Sequence, residues 1–244
     1  SVRTLYSYLD QGLFTARNID LKRKVHFKPR KCHKTQITDR TVFTNRLYRD
    51  FCSLALTSYV QMDTVYSSRE SKKTLLTMFF TKEKLFLAFL MKRCTKGAVR
   101  LIFDRLEKRM GTYEFTSVFE YILTDRGSEF GDPDALETGV NGIQRSSIYY
   151  CDPMQSGQKG GLEQAHTMLR MILPKGTCFE FLTQWDVNLI VNHINSTPRE
   201  SLDGKTPYSV ALETLGEEVL NAFQLRPIAP DEVNLTPKLI RFNH

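Results

Sequence analysis

The chain has 244 residues, of which 41% are hydrophobic and 25% charged, and its formal net charge is +7. This composition is typical of a globular protein and excludes a disordered chain. No apolar run approaches the ~20 residues of a membrane-spanning helix, and the first residues lack the apolar segment of a signal peptide. Five cysteines without a C-x-x-C pair argue against a disulfide framework and a zinc site, so we expect a reducing cytoplasm.

The first predicted element is a short amphipathic helix in residues 1–14. Ser1 is a suitable N-cap, Leu5 and Leu9 are expected to face inward, and Gly12 is expected to end the helix. This segment resembles the recognition helix of a helix-turn-helix, which would bring three side chains near DNA bases or phosphates. These candidate DNA-binding residues are Arg3, Thr4 and Tyr6.

Positive charge is concentrated at the beginning of the chain. Residues 1–50 contain twelve Lys or Arg and four Asp or Glu, a balance of +8, so the remaining 194 residues sum to about −1. Residues 22–34 contain no acid and are predicted to contact a DNA phosphate backbone, the alternative being a solvated linker. The candidate DNA-binding residues of this basic arm are Lys22, Arg23, Lys24, Lys28, Arg30, Lys31 and Lys34.

From about residue 54 the pattern predicts a mixed α/β domain. The predicted strands are residues 58–65, 73–81, 84–92, 118–124 and 147–151. Thr95 is expected to cap a helix that runs to Met110 and ends at Gly111, and residues 131–142 are expected to form a loop. The order βββαβ, then short helix, strand and helix is that of the ribonuclease-H-like fold.

Residues 159–174 are predicted to form an amphipathic helix that Pro174 ends. Gly160 and Gly161 would let its first turn approach another element closely. Its apolar side comprises Leu162, Ala165, Met168, Leu169 and Ile172, and its polar side comprises Glu163, His166 and Arg170. A solvated polar stripe is the alternative interpretation.

Two more helices are expected beyond this one. Thr183 to Asp186 has the pattern of a capping box, and Pro198 is expected to end the helix that it opens. Pro207 is expected to begin another helix, which Gly216 follows.

Two aspartates stand within or directly after predicted strands. Asp63 interrupts the first strand, and Asp125 follows the fourth. An unpaired carboxylate is unfavourable in a core, and a metal ion is the natural compensation. Together with Glu163 these acids would suit Mg²⁺, which prefers oxygen ligands. For any one of the acids alone, a strand-end cap or an ion pair is the better explanation.

Several motifs together resemble the catalytic core of a DDE transposase of the insertion-sequence-30 family in their order and spacing. They are MDTV at 62–65, LTDRGSEF at 123–130, CDP at 151–153, QKG at 158–160 and HINSTPR at 193–199. Glu163 follows Asp125 by 38 residues, close to the short interval of that group. Arg170 lies seven residues after Glu163, where related enzymes carry a basic residue.

The sequence departs from the family pattern in two places. The family commonly has a glycine-containing turn after the first aspartate, whereas residues 66–70 here contain no glycine. The family also has further helix-turn-helix sequence before the point where this chain begins. We therefore expect the chain to be a fragment or a remnant.

The resemblance implies a ribonuclease-H-like mixed sheet flanked by helices, and a domain order. Residues 1–52 would form a helix-turn-helix remnant with the basic arm, residues 53–216 the catalytic domain, and residues 217–244 a tail. Asp63, Asp125 and Glu163 would be catalytic and would bind Mg²⁺, with Mn²⁺ as an alternative. Lys159, His166 and Arg170 would contact DNA near the scissile phosphate, although His166 could equally be a hydrogen-bonding neighbour of Glu163.

The implied activity is metal-dependent cleavage and transfer of DNA strands at transposon ends. The partners would be double-stranded DNA, as terminal inverted repeats and as target, and further copies of the chain assembled on that DNA. The expected location is the bacterial cytoplasm, at the nucleoid, and no membrane partner is expected. One alternative is a domesticated DNA-binding protein that keeps the fold without the chemistry. A ribonuclease H or Holliday-junction nuclease uses similar carboxylates, but neither explains the first helix and the basic arm.

Overall fold

The computed structural model describes residues 1–17 and 40–240. Their contacts divide the chain into two units, Ser1–Thr38 and Asp39–His244. The predicted DNA contacts in residues 22–34 lie outside the described residues. Among the described helices, none is long and apolar enough to cross a membrane.

The described chain contains nine α-helices and five strands. The helices are α1 (Val2–Asp10), α2 (Tyr48–Ser53), α3 (Lys96–Met110), α4 (Thr112–Val118), α5 (Pro133–Glu137), α6 (Gly160–Ile172), α7 (Gln184–Asn195), α8 (Pro207–Leu215) and α9 (Glu217–Ala222). The strands are β1 (Val60–Tyr66), β2 (Thr74–Phe80), β3 (Leu85–Met91), β4 (Tyr121–Thr124) and β5 (Ser147–Tyr150).

The five strands form one mixed sheet in the order β3-β2-β1-β4-β5. Strands β1, β2 and β3 are antiparallel neighbours, whereas β4 is parallel to β1 and β5 is parallel to β4. This is the ribonuclease-H-like sheet that the sequence predicted. Strand β1 lies at its centre, so a residue of β1 is held by neighbours on both sides.

Helices cover both faces of the sheet, as consecutive residues of β2 demonstrate. Side chains alternate between faces along a strand. Phe79 meets Gly161 of α6, where an added methyl group would lie 2.5 Å from the Phe79 ring. Phe80 packs on the opposite face against Phe119 and Phe223, with ring centroids 5.5 and 5.9 Å away. All seven residues of β2 are buried, as expected for a strand covered on both faces.

The end signals of four helices are confirmed. Ser1 caps α1, and Thr95 caps α3, which ends at Gly111. Thr183 and Asp186 form the predicted capping box of α7. Helix α8 has its N-cap at Thr206 and is followed by Gly216. Local hydrogen-bonding chemistry therefore determines these boundaries.

The expected inward side of α1 is wrong. No residue of α1 is buried, and Leu5 is 55% exposed. Residues 1–17, the described part of this unit, contain no second helix or strand that could cover Leu5 and Leu9. An amphipathic pattern predicts a helix, but burial also needs a packing partner.

Two helices were missed between α3 and β5. Helix α4 ends at Val118, where the sequence predicts the fourth strand to begin, and β4 begins only at Tyr121. Its aromatic and β-branched residues favour a strand locally, but Phe115 is fully buried against Phe103 and Phe119, so tertiary packing prevails. The expected loop 131–142 also contains α5, which begins with Asp132 as N-cap and Pro133.

Two amide side chains of α7 satisfy the outer edge of β3. Asn195 Nδ2 donates to the Phe86 carbonyl at 2.7 Å, and the Phe86 N–H donates to Asn195 Oδ1 at 2.9 Å. Gln184 makes the same paired contacts with the Ala88 carbonyl and the Leu90 N–H, at 3.2 and 2.7 Å. An open edge is a template for pairing with another chain. Helix α7 therefore protects this edge.

Replacing Asn195 with alanine should lower the free energy of unfolding by ~2–6 kcal/mol, because it leaves a buried donor and a buried acceptor unsatisfied at ~1–3 kcal/mol each. Urea unfolding of the variant measures this loss. Asn221→Ala, at an exposed position of α9, is the matched control and should change stability by less than ~0.5 kcal/mol. Equal stabilities of the two variants would refute the edge-protecting role of Asn195.

Candidate active site

The two predicted catalytic aspartates lie at the same level of neighbouring strands. The parallel register of β1 and β4 pairs Gln61 with Leu123. Asp63 and Asp125 each follow these paired residues by two positions. Because parallel strands run in the same direction, the two carboxylates emerge side by side at one edge of the sheet. Asp63 thus lies within β1 and Asp125 directly after the neighbouring β4, as the sequence predicted for each.

Lys159, the residue before α6, joins the two aspartates. Its Nζ lies 3.0 Å from Asp63 Oδ2 and 3.5 Å from Asp125 Oδ2. The lysine side chain is only 7% exposed. We had assigned Lys159 to DNA contact, but in this structure its ammonium group is directed at the aspartates and scarcely reaches solvent.

The other carboxylate oxygens are held by the backbone. Asp63 Oδ1 accepts a hydrogen bond from Thr64 N at 2.7 Å, and Asp125 Oδ1 accepts one from Gly127 N at 2.9 Å. Burial raises the pKa of Asp125 and the charge of Asp63 raises it further, while Lys159 opposes both. The site therefore concentrates negative charge and favours a cation.

Helix α6 brings the third predicted acid to the same cleft. All five apolar residues of its predicted inner side are buried. The first turn is docked on β1, because Leu162 N donates to Gln61 Oε1 at 2.9 Å. Gly161 makes the close approach that we expected, whereas Gly160 faces open space and its predicted role is wrong.

An open cleft of about 520 Å³ runs between β1 and α6. The residues that line it include Asp63, Tyr66, Glu163, His166, Arg170 and Lys175. Glu163 is exposed in this cleft. The whole predicted polar side of α6 therefore faces the same space as Asp63.

His166 contacts the strands and not Glu163. Its Nε2 lies 2.8 Å from the hydroxyl of Thr77, which itself donates to the Asp63 carbonyl at 3.0 Å. Because the Thr77 proton is used in that bond, His166 acts as the donor. Burial lowers the pKa of His166, which keeps the ring neutral at pH 7. His166 thereby supports the backbone that carries Asp63.

Arg170 lies further along the same side of α6. It is partly buried and donates to the carbonyls of Leu173 at 3.3 Å and Tyr66 at 3.5 Å. These contacts direct its guanidinium toward the end of β1. Arg170 also lines the cleft, where the predicted contact with DNA would be made.

Glu129 is a site residue that sequence reasoning missed. It is only 5% exposed, although it belongs to the motif that contains Asp125. An added methyl group on Gly127 would lie 2.8 Å from Glu129 Oε2 and 3.0 Å from Asp125 Oδ1, so the two carboxylates flank this glycine. The Tyr66 hydroxyl donates to Glu129 Oε1 at 3.5 Å. The buried glutamate adds to the negative charge around Asp125.

The candidate ligands are carboxylates, whose oxygen atoms are the donors that a hard cation such as Mg²⁺ prefers. Asp63 and Asp125 already share one positive group, and Glu163 lines the cleft beside Asp63. Within residues 1–17 and 40–240, however, no three or more Asp, Glu, His or Cys side chains are arranged to hold a metal ion. The aspartate pair fits Mg²⁺, and Glu163 would have to turn toward the pair to complete the set.

The predicted DNA-binding residues of α1 lie on an exposed helix. Arg3, Thr4 and Tyr6 are all exposed. The Thr4 hydroxyl lies 3.0 Å from the hydroxyl of Ser1, so it takes part in the helix cap.

Comparison with known proteins identifies relatives but no matching family model. The transposase InsI of insertion sequence element IS30A from Escherichia coli is 33% identical over 88 residues, 35% of this chain and 21% of that protein. The transposase of IS1086 from Cupriavidus metallidurans is 34% identical over 91 residues, 37% of this chain and 26% of that protein. A putative integrase, ORF3 of Spiroplasma virus SpV1-R8A2 B, is 24% identical over 83% of this chain and 60% of its own length.

Among solved structures, the catalytic core domain of BIV integrase is 22% identical, with a TM-score of 0.44, and the match covers 64% of this chain and 94% of that one. The catalytic core of HTLV-2 integrase in complex with magnesium is 17% identical, with a TM-score of 0.43 and coverages of 62% and 94%. Segments that cover 35% and 37% of this chain are therefore similar to the two insertion-sequence transposases. The matched segments span only about a quarter or less of the first two curated transposases.

Proposed function

We propose that the chain is a DNA transposase that cleaves strands at transposon ends and transfers them to a target with the help of a divalent metal. The observation that carries this proposal is the side-by-side placement of Asp63 and Asp125 by the parallel register of β1 and β4, with Glu163 lining the cleft beside Asp63. The similarity to curated transposases supports the same conclusion.

Asp63, Asp125 and Glu163 are the residues that would hold Mg²⁺, with Mn²⁺ as an alternative. When bound, the metal would stabilise charge on the phosphate and activate the attacking oxygen. Carboxylate oxygens are the ligands that such hard cations prefer. The concentrated negative charge around Asp125 also favours cation binding.

The other residues of the cleft would position the acids and the DNA. The contacts from His166 to Thr77 and from Thr77 to the Asp63 carbonyl hold β1 in place. Arg170 and Lys175 line the same cleft and add positive charge where a phosphodiester would enter.

The proposed partners are double-stranded DNA, as terminal inverted repeats and as target, and further copies of the chain assembled on that DNA. The proposed location of the chain is therefore the bacterial cytoplasm, at the nucleoid. The basic arm would contribute the affinity that is independent of sequence, because lysine and arginine release counterions from the phosphates that they contact.

Changing the seven basic residues of the arm to glutamine should weaken DNA binding and flatten its salt dependence. Each phosphate contact that is lost changes the slope of log K against log salt by about 0.9, so the slope should fall by up to about 6. Fluorescence anisotropy at several salt concentrations measures this slope. An unchanged slope would show that the segment is only a linker.

A second candidate is a DNA-binding protein that keeps the fold without the chemistry. The bridging of both aspartates by Lys159 favours it, as does the lack of a three-donor metal group within the described residues. Such a protein would bind transposon ends and leave them intact at every metal concentration.

The deciding experiment uses a duplex that carries the terminal inverted repeat flanking the chain's own coding sequence. Incubation with Mg²⁺ should produce a strand break at the end of the repeat, and chelation with EDTA should prevent it. Denaturing gels resolve the product. Binding without cleavage in Mg²⁺ and in Mn²⁺ would contradict the transposase proposal and favour the second candidate.

A further inference from the structure

Lys159 is a buried cation at the centre of the candidate site. An isolated ammonium group is strongly disfavoured in a protein interior, so a buried lysine needs partners. Three oxygen atoms surround Lys159 Nζ: Asp63 Oδ2 at 3.0 Å, Asp125 Oδ2 at 3.5 Å and the Met62 carbonyl oxygen at 3.4 Å. They match the three N–H donors of an ammonium group. Lys159 therefore neutralises the aspartate pair in the absence of metal.

This position conflicts with the binding of a divalent cation. Mg²⁺ binds carboxylate oxygens at about 2.0–2.1 Å. An ion shared by Asp63 and Asp125 would thus occupy the space that Lys159 Nζ now fills between the same two oxygens. Two cations at such short range repel each other strongly. A divalent cation at these two oxygens would therefore compete with Lys159.

The surroundings of Lys159 allow its ammonium group to leave. Lys159 is the last residue of a short 3₁₀ turn, Ser156–Lys159, and its side chain makes no capping hydrogen bond to α6. Gly157 and Gly160 on either side have no other group within 4 Å of an added methyl. The four-carbon stem of a lysine is flexible, so a change of its side-chain torsions alone would move the ammonium group away from the aspartates.

We propose that Lys159 is an internal counter-ion that holds Asp63 and Asp125 together until a divalent cation displaces it, which frees its ammonium group for a DNA phosphate in the cleft. This inference rests on the proposed function, since it assumes that the aspartate pair binds metal. It reconciles the burial of Lys159 with the DNA contact expected from the sequence. Metal binding would then be an exchange of one cation for another.

The first test compares metal affinity in Lys159→Met and in wild type by calorimetric titration with MgCl₂. Methionine keeps an unbranched side chain of similar length and removes the competing charge. We expect at least a tenfold tighter dissociation constant in Lys159→Met. Lys82→Met is the matched control, because Lys82 is an exposed lysine between β2 and β3 that does not line the cleft, and the affinity of this variant should stay within twofold of wild type.

The second test needs only the wild-type chain and so does not depend on the folding of a variant. An amine-acetylating reagent followed by peptide mass spectrometry measures the reactivity of each lysine. Lys159 should be protected in EDTA and at least fivefold more reactive in saturating Mg²⁺, while Lys175 reacts equally in both. Protection of Lys159 that persists in saturating Mg²⁺ would overturn the displacement.

The outcomes separate this inference from the proposed function. Unchanged or weaker metal binding by Lys159→Met, with wild type still cutting DNA in Mg²⁺, would overturn the counter-ion role alone. If neither protein bound Mg²⁺ and wild type left DNA intact, both proposals would fall. Tighter binding by Lys159→Met together with exposure of Lys159 in the wild type would support the exchange.

Discussion

Replacing Asp125 with asparagine is expected to abolish Mg²⁺-dependent strand cleavage while leaving DNA affinity within about twofold of wild type. Asparagine keeps the shape of the side chain, and its Oδ1 can still accept the hydrogen bond from Gly127 N. It removes the charge that a metal needs. Perturbing groups around a metal ligand typically costs ~10–100-fold, so loss of a ligand should exceed ~100-fold.

The matched control for this variant is Asp152→Asn. Asp152 is an acid in the same region that pairs with Arg126 at 3.8 Å, and its side chain is 50% exposed. Its replacement should leave the cleavage rate within about threefold of wild type, because exposed ion pairs contribute little. Cleavage by Asp125→Asn at the wild-type rate would refute the metal assignment.

Replacing Arg145 with methionine is expected to lower the free energy of unfolding by ~3–5 kcal/mol, the loss typical when one partner of a buried ion pair is removed. Arg145 is fully buried and donates to Asp104 and Glu107, each at 2.7 Å. It also donates to the Leu136 carbonyl at 2.8 Å. The variant would leave the buried Glu107 without its cation.

Urea unfolding measures this effect, and Arg100→Met provides the comparison. Arg100 pairs with the same Asp104 at 3.6 Å, but its side chain is 54% exposed. Its loss should therefore cost less than ~1 kcal/mol. Similar destabilisation by both variants would show that burial of Arg145 does not determine the strength of its interactions.

Local signals in the sequence were sufficient for much of the fold. Alternating and continuous apolar runs indicated the strands, and capping residues such as Thr95 and Thr183 marked helix starts. Helix α4 was not predicted in this way, because its aromatic residues favour a strand locally, whereas in the fold Phe115 packs against Phe119 and Phe103. The local periodicity of a sequence does not predict tertiary contacts between distant segments.

The candidate site was predictable in its acids and less so in their surroundings. The position of Asp63 within one predicted strand and of Asp125 directly after another, together with the family resemblance, identified both as candidate site residues. The bridging by Lys159 and the support of Asp63 by Thr77 depend on how closely α6 approaches β1, which the sequence does not encode locally. Glu129 was hidden because an acid two residues after a glycine has the pattern of an ordinary turn.

The most direct measurement is the anomalous diffraction of crystals of this chain soaked in saturating Mn²⁺. The account predicts an anomalous peak between Asp63 and Asp125, with metal–oxygen distances near the ~2.1 Å typical of Mg²⁺, Glu163 turned toward it as a third ligand, and Lys159 Nζ displaced. A map without a peak at this position, in which Lys159 Nζ still bridges the two aspartates, would contradict the proposal that they form a metal-dependent catalytic site.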